Sequence, residues 1–345
     1  MLHSLLKQLI ATPSFSREEK DAADLLESYL INRQLHPQRK GNNIWLCSPV
    51  WDSRKPVVLL NSHIDTVKPV AGWSQDPFSP LEKDGKLYGL GSNDAGASLV
   101  SLLEAFLLLS AKEQPNNFIF LASCEEEVSG KNGIESVLPE LPPIALGIVG
   151  EPTGMQPAIA ERGLMVLDGV VRGKSGHAAH GEGENAIYKA LPVIEWFRNL
   201  HFPLESAWLG TVKTTVTLIQ AGTQHNVIPD TCQFTVDVRS NELYSNEQLF
   251  DYIAGHCGCE IRARSFRLNS SQINLEHPVV QKAETLGLKP FGSPTLSDQA
   301  LMPFPSLKIG PGSSARSHIA DEFVYLLEIE EAIGVYFRLL DLLDL

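Results

Sequence analysis

Basic residues are few and nowhere gathered. The 345-residue chain carries 28 Lys and Arg against 41 Asp and Glu, a formal net charge of −13 and a pI near 5.2. No basic arm or Lys/Arg cluster interrupts that balance, so the footprint of a nucleic-acid binder is missing. Cysteine is equally sparse. Cys47, Cys124, Cys232, Cys257 and Cys259 are odd in number and scattered, which suits a reducing cytoplasm and no disulfide framework. "HCGC" at 256–259 has metal-capable atoms but lacks a second Cys/His pair at zinc-finger spacing, and reads as a chance cluster in a loop. No uninterrupted apolar run reaches the ~18 residues of a membrane span. The opening "MLHSLLKQLIATPSFSREEKDAADLL" has no small-residue cleavage site after an apolar stretch, and reads as helix, turn and helix, not as a signal peptide. Internal repeats and low-complexity segments are missing too. The expectation is a cytoplasmic protein with no nucleic-acid or membrane partner.

What remains is a chain rich enough to fold. Its hydrophobic content is 43% and its charged content 20%, enough for a real core and too apolar for disorder. Its length fits one large domain or two modest ones. Up to about residue 150, short apolar strands alternate with helical patterns. "KPVVLLNSHID", "NNFIFLASCEEE" and "IALGIVGEP" are strands ending in polar residues, and "DAGASLVSLLEAFLLLSAKE" is a helix opened by Asp94. Nearly continuous apolar strands separated by helices predict an α/β domain with a mostly parallel sheet. From 164 to 270 the pattern changes to period-two strands, "MVLDGVVRGKS", "TVKTTVTLIQAG", "DTCQFTVDVRS" and "EIRARSFRL", with helices "ENAIYKALPVIEWFRNL" and "NEQLFDYIAGHC" between them. After 270 the first style returns. The expected organisation is a discontinuous catalytic domain, 1–163 with 271–345, interrupted by an inserted α+β domain, 164–270.

Ligands of open α/β sheets lie beyond the carboxyl ends of the strands. His63, Asp65, Glu126, Glu127 and Glu151 all sit just past such ends. His63 and Asp65, two apart, share a strand face, so one can bind metal while the carboxylate of the other orients the imidazole. Asp94 stands in the glycine-rich "GLGSNDAG", where its two oxygens could bridge two ions. Glu126 and Glu127, being adjacent, cannot point the same way; one can be a ligand and the other a base. His318 follows the glycines of "GPGSSARSH". Imidazoles and carboxylates without thiolates suit zinc, cobalt or manganese. Two ions ~3.5–4 Å apart would fit the two-metal hydrolase pattern. Each motif alone is weak, and a run such as "EEE" is commonly a solvated charge face; their joint occurrence at successive strand ends is what points to a metal centre.

These residues, together with "NSHIDTV", "YGLGSNDAG", "CEEEVSGKNG", "GEPTG", "GKSGHAAHGEGENAI", "HNVIPD", "DVRS" and "GPGSSARSH" in that order, resemble the M20 family of dinuclear-zinc amidohydrolases, which includes acetylornithine deacetylase, succinyl-diaminopimelate desuccinylase and the aminoacylases. The resemblance covers nearly the whole chain. It implies a zinc-hydrolase catalytic domain with an inserted dimerisation, or lid, domain. It implies one ion held by His63, Asp94 and Glu151, a second by Asp94, Glu127 and His318, and Asp94 bridging the two. It makes Glu126 the general base and Asp65 a catalytic partner. His177 becomes the histidine of the inserted domain that stabilises the oxyanion, often across a dimer interface, and Asn226 and Arg239 hold the substrate carboxylate. His180 is left as a polar rim residue.

The chain departs from the family pattern in places. Glu125 stands where Asp is usual; an alignment slip of one residue would move base and ligand to Glu125 and Glu126. Leu90 and Gly96 stand where the bridging-Asp motif usually has Arg and Lys, and the proline common after His177 is missing. The implied function is hydrolysis of an N-acyl amino acid, N-acetyl- or N-succinyl-ornithine or -citrulline, in arginine biosynthesis, by a cytoplasmic homodimer with two divalent ions, Zn2+ first and Co2+ second. The rivals are a dipeptidase or aminopeptidase on the same scaffold and a non-catalytic binding protein.

Overall fold

The computed structural model describes residues 2–345, which form two compact units. The first comprises the segments up to Ile159, Gln272–Phe291 and Ser297–Leu345; the second comprises Ala160–Ser271 and Gly292–Leu296.

The first unit is built on a sheet whose central strands are parallel. Val57–His63 lies between Asn117–Ser123 and Leu146–Val149, parallel to both, and Ser306–Lys308 runs parallel to Leu146–Val149 on the far side. Antiparallel Asn43–Cys47 and Gln38–Lys40 extend one side. Every residue of Val57–His63 and Asn117–Ser123 is buried, as a sheet covered on both faces requires. The α/β class with a mostly parallel sheet is therefore what the chain adopts.

Helix Ala97–Ser110 packs against this sheet and against the C-terminal helix Leu326–Leu340. The helical stretch Ser92–Ser110 is long and apolar enough to cross a membrane, which exceeds what the apolar runs of the sequence suggest; most of it is buried inside the fold, as in a core helix. The helix does not begin at Asp94. Ser92–Gly96 forms one wide turn in which Asp94 has an extended backbone (φ −120°, ψ 96°) and is followed by a cis peptide bond, and the regular helix starts at Ala97. Gly91 turns the chain into this segment with φ 75°; a Cβ there would lie 2.6 Å from Cγ2 of Thr66.

The second unit is a four-stranded antiparallel sheet, in order Lys213–Ala221, Thr231–Arg239, Met165–Arg172, Glu260–Ala263. Helices Ala186–Asn199 and Asn246–His256 bury Val193, Phe197, Leu249 and Ile253 with Leu167, Phe234 and Val236. Asn185 and Ser245 cap them with side-chain oxygens. The strand read from "EIRARSFRL" is only four residues long. Cys257 and Cys259 are free thiols with sulfurs 3.6 Å apart.

Candidate metal centre

His63 is the last residue of its strand and its side chain is 1% exposed. Its Nδ1 lies 2.8 Å from the backbone carbonyl of Asp65. A carbonyl oxygen only accepts, so Nδ1 carries the proton and Nε2 presents the other face of the ring. That Nε2 lies 3.3 Å from Asp94 Oδ1 and 3.5 Å from Glu151 Oε1. The sequence suggests that the Asp65 carboxylate orients the imidazole, but the backbone carbonyl holds that place and Asp65 Oδ1 is 3.5 Å from Nδ1. The carboxylate instead accepts hydrogen bonds from Ser16 Oγ (2.7 Å), Glu126 N (3.0 Å) and Glu127 N (3.1 Å). Asp65 thus fixes the turn that carries both glutamates.

The three consecutive glutamates separate completely. Glu125, in the left-handed region at φ 56°, is buried and accepts from Asn132 Nδ2 at 2.8 Å, while its N–H donates to Glu19 Oε1. Glu127 Oε2 lies 3.0 Å from His318 Nε2. No hydrogen bond reaches the Glu126 carboxylate from the described residues, and it groups with His63 and Glu151, ligand atoms within 4.8 Å of one another. Asp94 faces both histidines: Oδ1 towards His63, and Oδ2 3.6 Å from His318 Nε2.

Burial dominates the electrostatics. It raises Glu126 well above the usual carboxylate range, with the charge of Glu151 adding to it. Burial and neighbouring Asp94 push Glu151 up to about 8, against the opposing charge of Lys308. Glu127 is raised by burial despite its bond to His318, and that bond pushes His318 up to about 9. The cluster therefore gathers more negative charge than its protein surroundings offset. Imidazole nitrogens and carboxylate oxygens 3.0–3.6 Å apart need a proton or a cation between them. Oxygen and nitrogen donors with no thiolate are the chemistry of a divalent-metal site, so the residues present fit such ions.

His63, Asp65, Asp94, Glu126, Glu127, Glu151 and His318 thus come together in the first unit. His177, Asn226 and Arg239 belong to the second. His177 sits on a short exposed strand, Gly176–His177, paired with Val227–Ile228. Its Nδ1 accepts from Ala179 N at 3.2 Å, which leaves the proton on Nε2 as an outward donor. Its ring centroid is 4.8 Å from that of His180. Asn226 accepts from Ala178 N through its backbone carbonyl, and its side chain is exposed. Arg239 makes two hydrogen bonds to the carboxylate of Asp237, at 2.8 and 3.0 Å. Asn93 and Glu322, which hold the backbone around Asp94, escaped the sequence reading; the only signal was the placement of Glu322 four residues after His318.

A buried imidazole and half-buried carboxylates gathered beyond the ends of parallel strands fit one class: a metal-dependent hydrolase. The chain belongs to Peptidase family M20/M25/M40, whose sequence model matches residues 59–342. It is 28% identical over 360 residues to an acetylornithine deacetylase of Proteus mirabilis, covering 94% of this chain and 92% of the relative. It is 29% identical over 252 residues to a succinyl-diaminopimelate desuccinylase of a Nitratiruptor species, covering 69% and 68%. Its fold is shared with an M20 family metallo-carboxypeptidase from Sulfolobus solfataricus, at TM-score 0.78 and 16% identity, covering 99% of this chain and 98% of the other.

Proposed function

We propose that this protein hydrolyses the amide bond of a small N-acyl amino acid, with Glu126 as the proton carrier. One observation carries the reading. Of three adjacent glutamates, Glu125 is bonded to Asn132 and Glu127 to His318, whereas Glu126 stands half-buried among candidate ligands with its carboxylate free among the described residues. A group that must take up and release a proton needs that freedom, and a carboxylate raised by burial holds a proton nearer neutral pH.

Two divalent ions, Zn2+ first among them, held by His63, Asp94 and Glu151 and by Asp94, Glu127 and His318, would polarise the amide carbonyl and acidify the attacking water. Glu126 takes the proton of that water and delivers it to the departing amine nitrogen. Asp65 keeps Glu126 and Glu127 in place through their backbone N–H groups. His177 donates its Nε2–H to the developing oxyanion. Arg239, released from Asp237, pairs with the substrate carboxylate beside Asn226.

The names of the relatives support acetyl- or succinyl-amino acids of the ornithine and diaminopimelate type. The ornithine type would place the reaction in arginine biosynthesis, in the cytoplasm. Edge strand Lys213–Ala221, with Leu218 and Ile219 exposed, supports a homodimer through the second unit. A substrate panel tests the reading: acetyl and succinyl derivatives of ornithine, citrulline and lysine, with unblocked dipeptides alongside. Release of a free amino acid from one N-acyl substrate, lost on chelation and restored by Zn2+ or Co2+, is expected. Turnover of dipeptides alone would overturn it.

A further inference from the structure

The two histidines of the centre are held differently, and the second requires an explanation. His318 lies on a loop at φ 59° with its side chain 51% exposed, so neither strand nor core fixes it. Asp94, which faces it, lies on the wide turn before the buried helix. Two buried side chains join the turn to this loop region. Glu322, 1% exposed, accepts from Asn93 N at 2.8 Å and Asp94 N at 3.0 Å. Its own carbonyl accepts from Gly89 N at 3.0 Å, where Phe323–Tyr325 pairs with Lys86–Tyr88. Asn93, fully buried, donates through Nδ2 to Ser313 O (3.1 Å) and Ser317 Oγ (3.2 Å), and accepts from Ser313 N (3.0 Å). A Cβ on Gly312 would come within 2.3 Å of Asn93 Oδ1, so the loop packs tightly on this amide.

We propose that Glu322 and Asn93 form a clasp that sets the distance between Asp94 and His318, and so acts as the positioning device of one metal position. The inference rests on the two-ion reading above. Glu322 acts through Asp94: its Oε1 accepts from the backbone N–H groups of that ligand and of the residue before it. His63 and Glu151 follow parallel strands and need no such device. Loss of the clasp therefore weakens the ion between Asp94, Glu127 and His318 more than the one that shares Asp94 but also has strand-borne His63 and Glu151. Partners that orient ligands in this way typically change metal affinity by ~10–100-fold when removed.

The test uses the full-length protein loaded with Zn2+ and titrated with a chromophoric chelator, reading ions per chain and the affinity of each release step. Wild type should hold two ions and release them in two steps. Glu322→Ala should weaken the more easily released ion by ~10–100-fold and the other step by clearly less. Glu322→Gln keeps an acceptor oxygen and should stay close to wild type. Ser317→Ala, the milder break should Glu322→Ala fail to fold, should weaken the same step by less. Equal weakening of both steps with a fall in Tm would reduce Glu322 to general stability and overturn the proposal. Two unchanged steps would overturn it as well. Fewer than two ions on wild type would remove the two-ion reading itself, before any variant is measured.

Discussion

His63 and His318 face the same aspartate from opposite conditions. His63 ends a fully buried strand, is 1% exposed, and has its ring fixed by the Asp65 carbonyl. His318 is 51% exposed on a glycine-flanked loop. A strand-borne ligand inherits its position from the sheet ladder, and a loop-borne ligand must be placed by side chains. One half of the centre is therefore rigid by topology and the other by hydrogen bonds, so the two halves should break separately.

The largest effect is expected at the rigid half. His63→Ala removes the imidazole that Asp94, Glu126 and Glu151 surround, and leaves half-buried carboxylates facing one another. It should cost one ion per chain and ~10²-fold or more in kcat/KM, read by metal analysis and steady-state kinetics. His318→Ala should also remove one ion, the one released first by chelator, and its activity should recover in part at high Zn2+ because Asp94 and Glu127 remain. Two ions retained by both variants would show that the halves are not distinct.

A smaller effect tests whether His177 acts across a dimer. Inactive His177→Ala mixed with inactive Glu126→Gln should recover roughly a quarter of wild-type activity, since half of random dimers are mixed and each holds one intact site. No recovery after proven subunit exchange would confine His177 to its own chain or remove it from catalysis. The smallest effect compares two left-handed glycines. Gly91→Ala, with Thr66 at 2.6 Å, should lose stability by ~1–2 kcal/mol in urea unfolding. Gly85→Ala, at φ 72° with nothing within 4 Å, should lose less.

The parallel sheet was legible because runs such as "VVLLNSH" and "NFIFLAS" are too apolar and too short for anything but buried strands, and polar residues follow each one. The candidate ligands stood out for the same reason. What the sequence hid depends on contacts between distant residues. The helix was expected to open at Asp94, but backbone bonds to Glu322, 228 residues later, hold Asp94 outside helical geometry. The carboxylate of Asp65 was expected on His63 and lies 3.5 Å from its Nδ1, but the carbonyl comes nearer at 2.8 Å and the side chain also holds the N–H groups of Glu126 and Glu127. Arg239 was read as a substrate clamp, and its bond to Asp237, two residues away on the same strand face, could have been anticipated from the side-chain period of two. Asn93 could not, since its partners lie 220 and 224 residues away.

The central claim is that a half-buried Glu126, its carboxylate unbonded among the described residues, moves the proton while its neighbours hold the metals. Glu126→Gln keeps the shape and removes the base. Metal content measured beside kcat decides the matter in one preparation: two ions per chain retained with kcat lowered by ~10²–10⁴ is the predicted result. A variant with near-normal kcat, especially if Glu125→Gln is inactive, would contradict it and move the base one residue back along the chain.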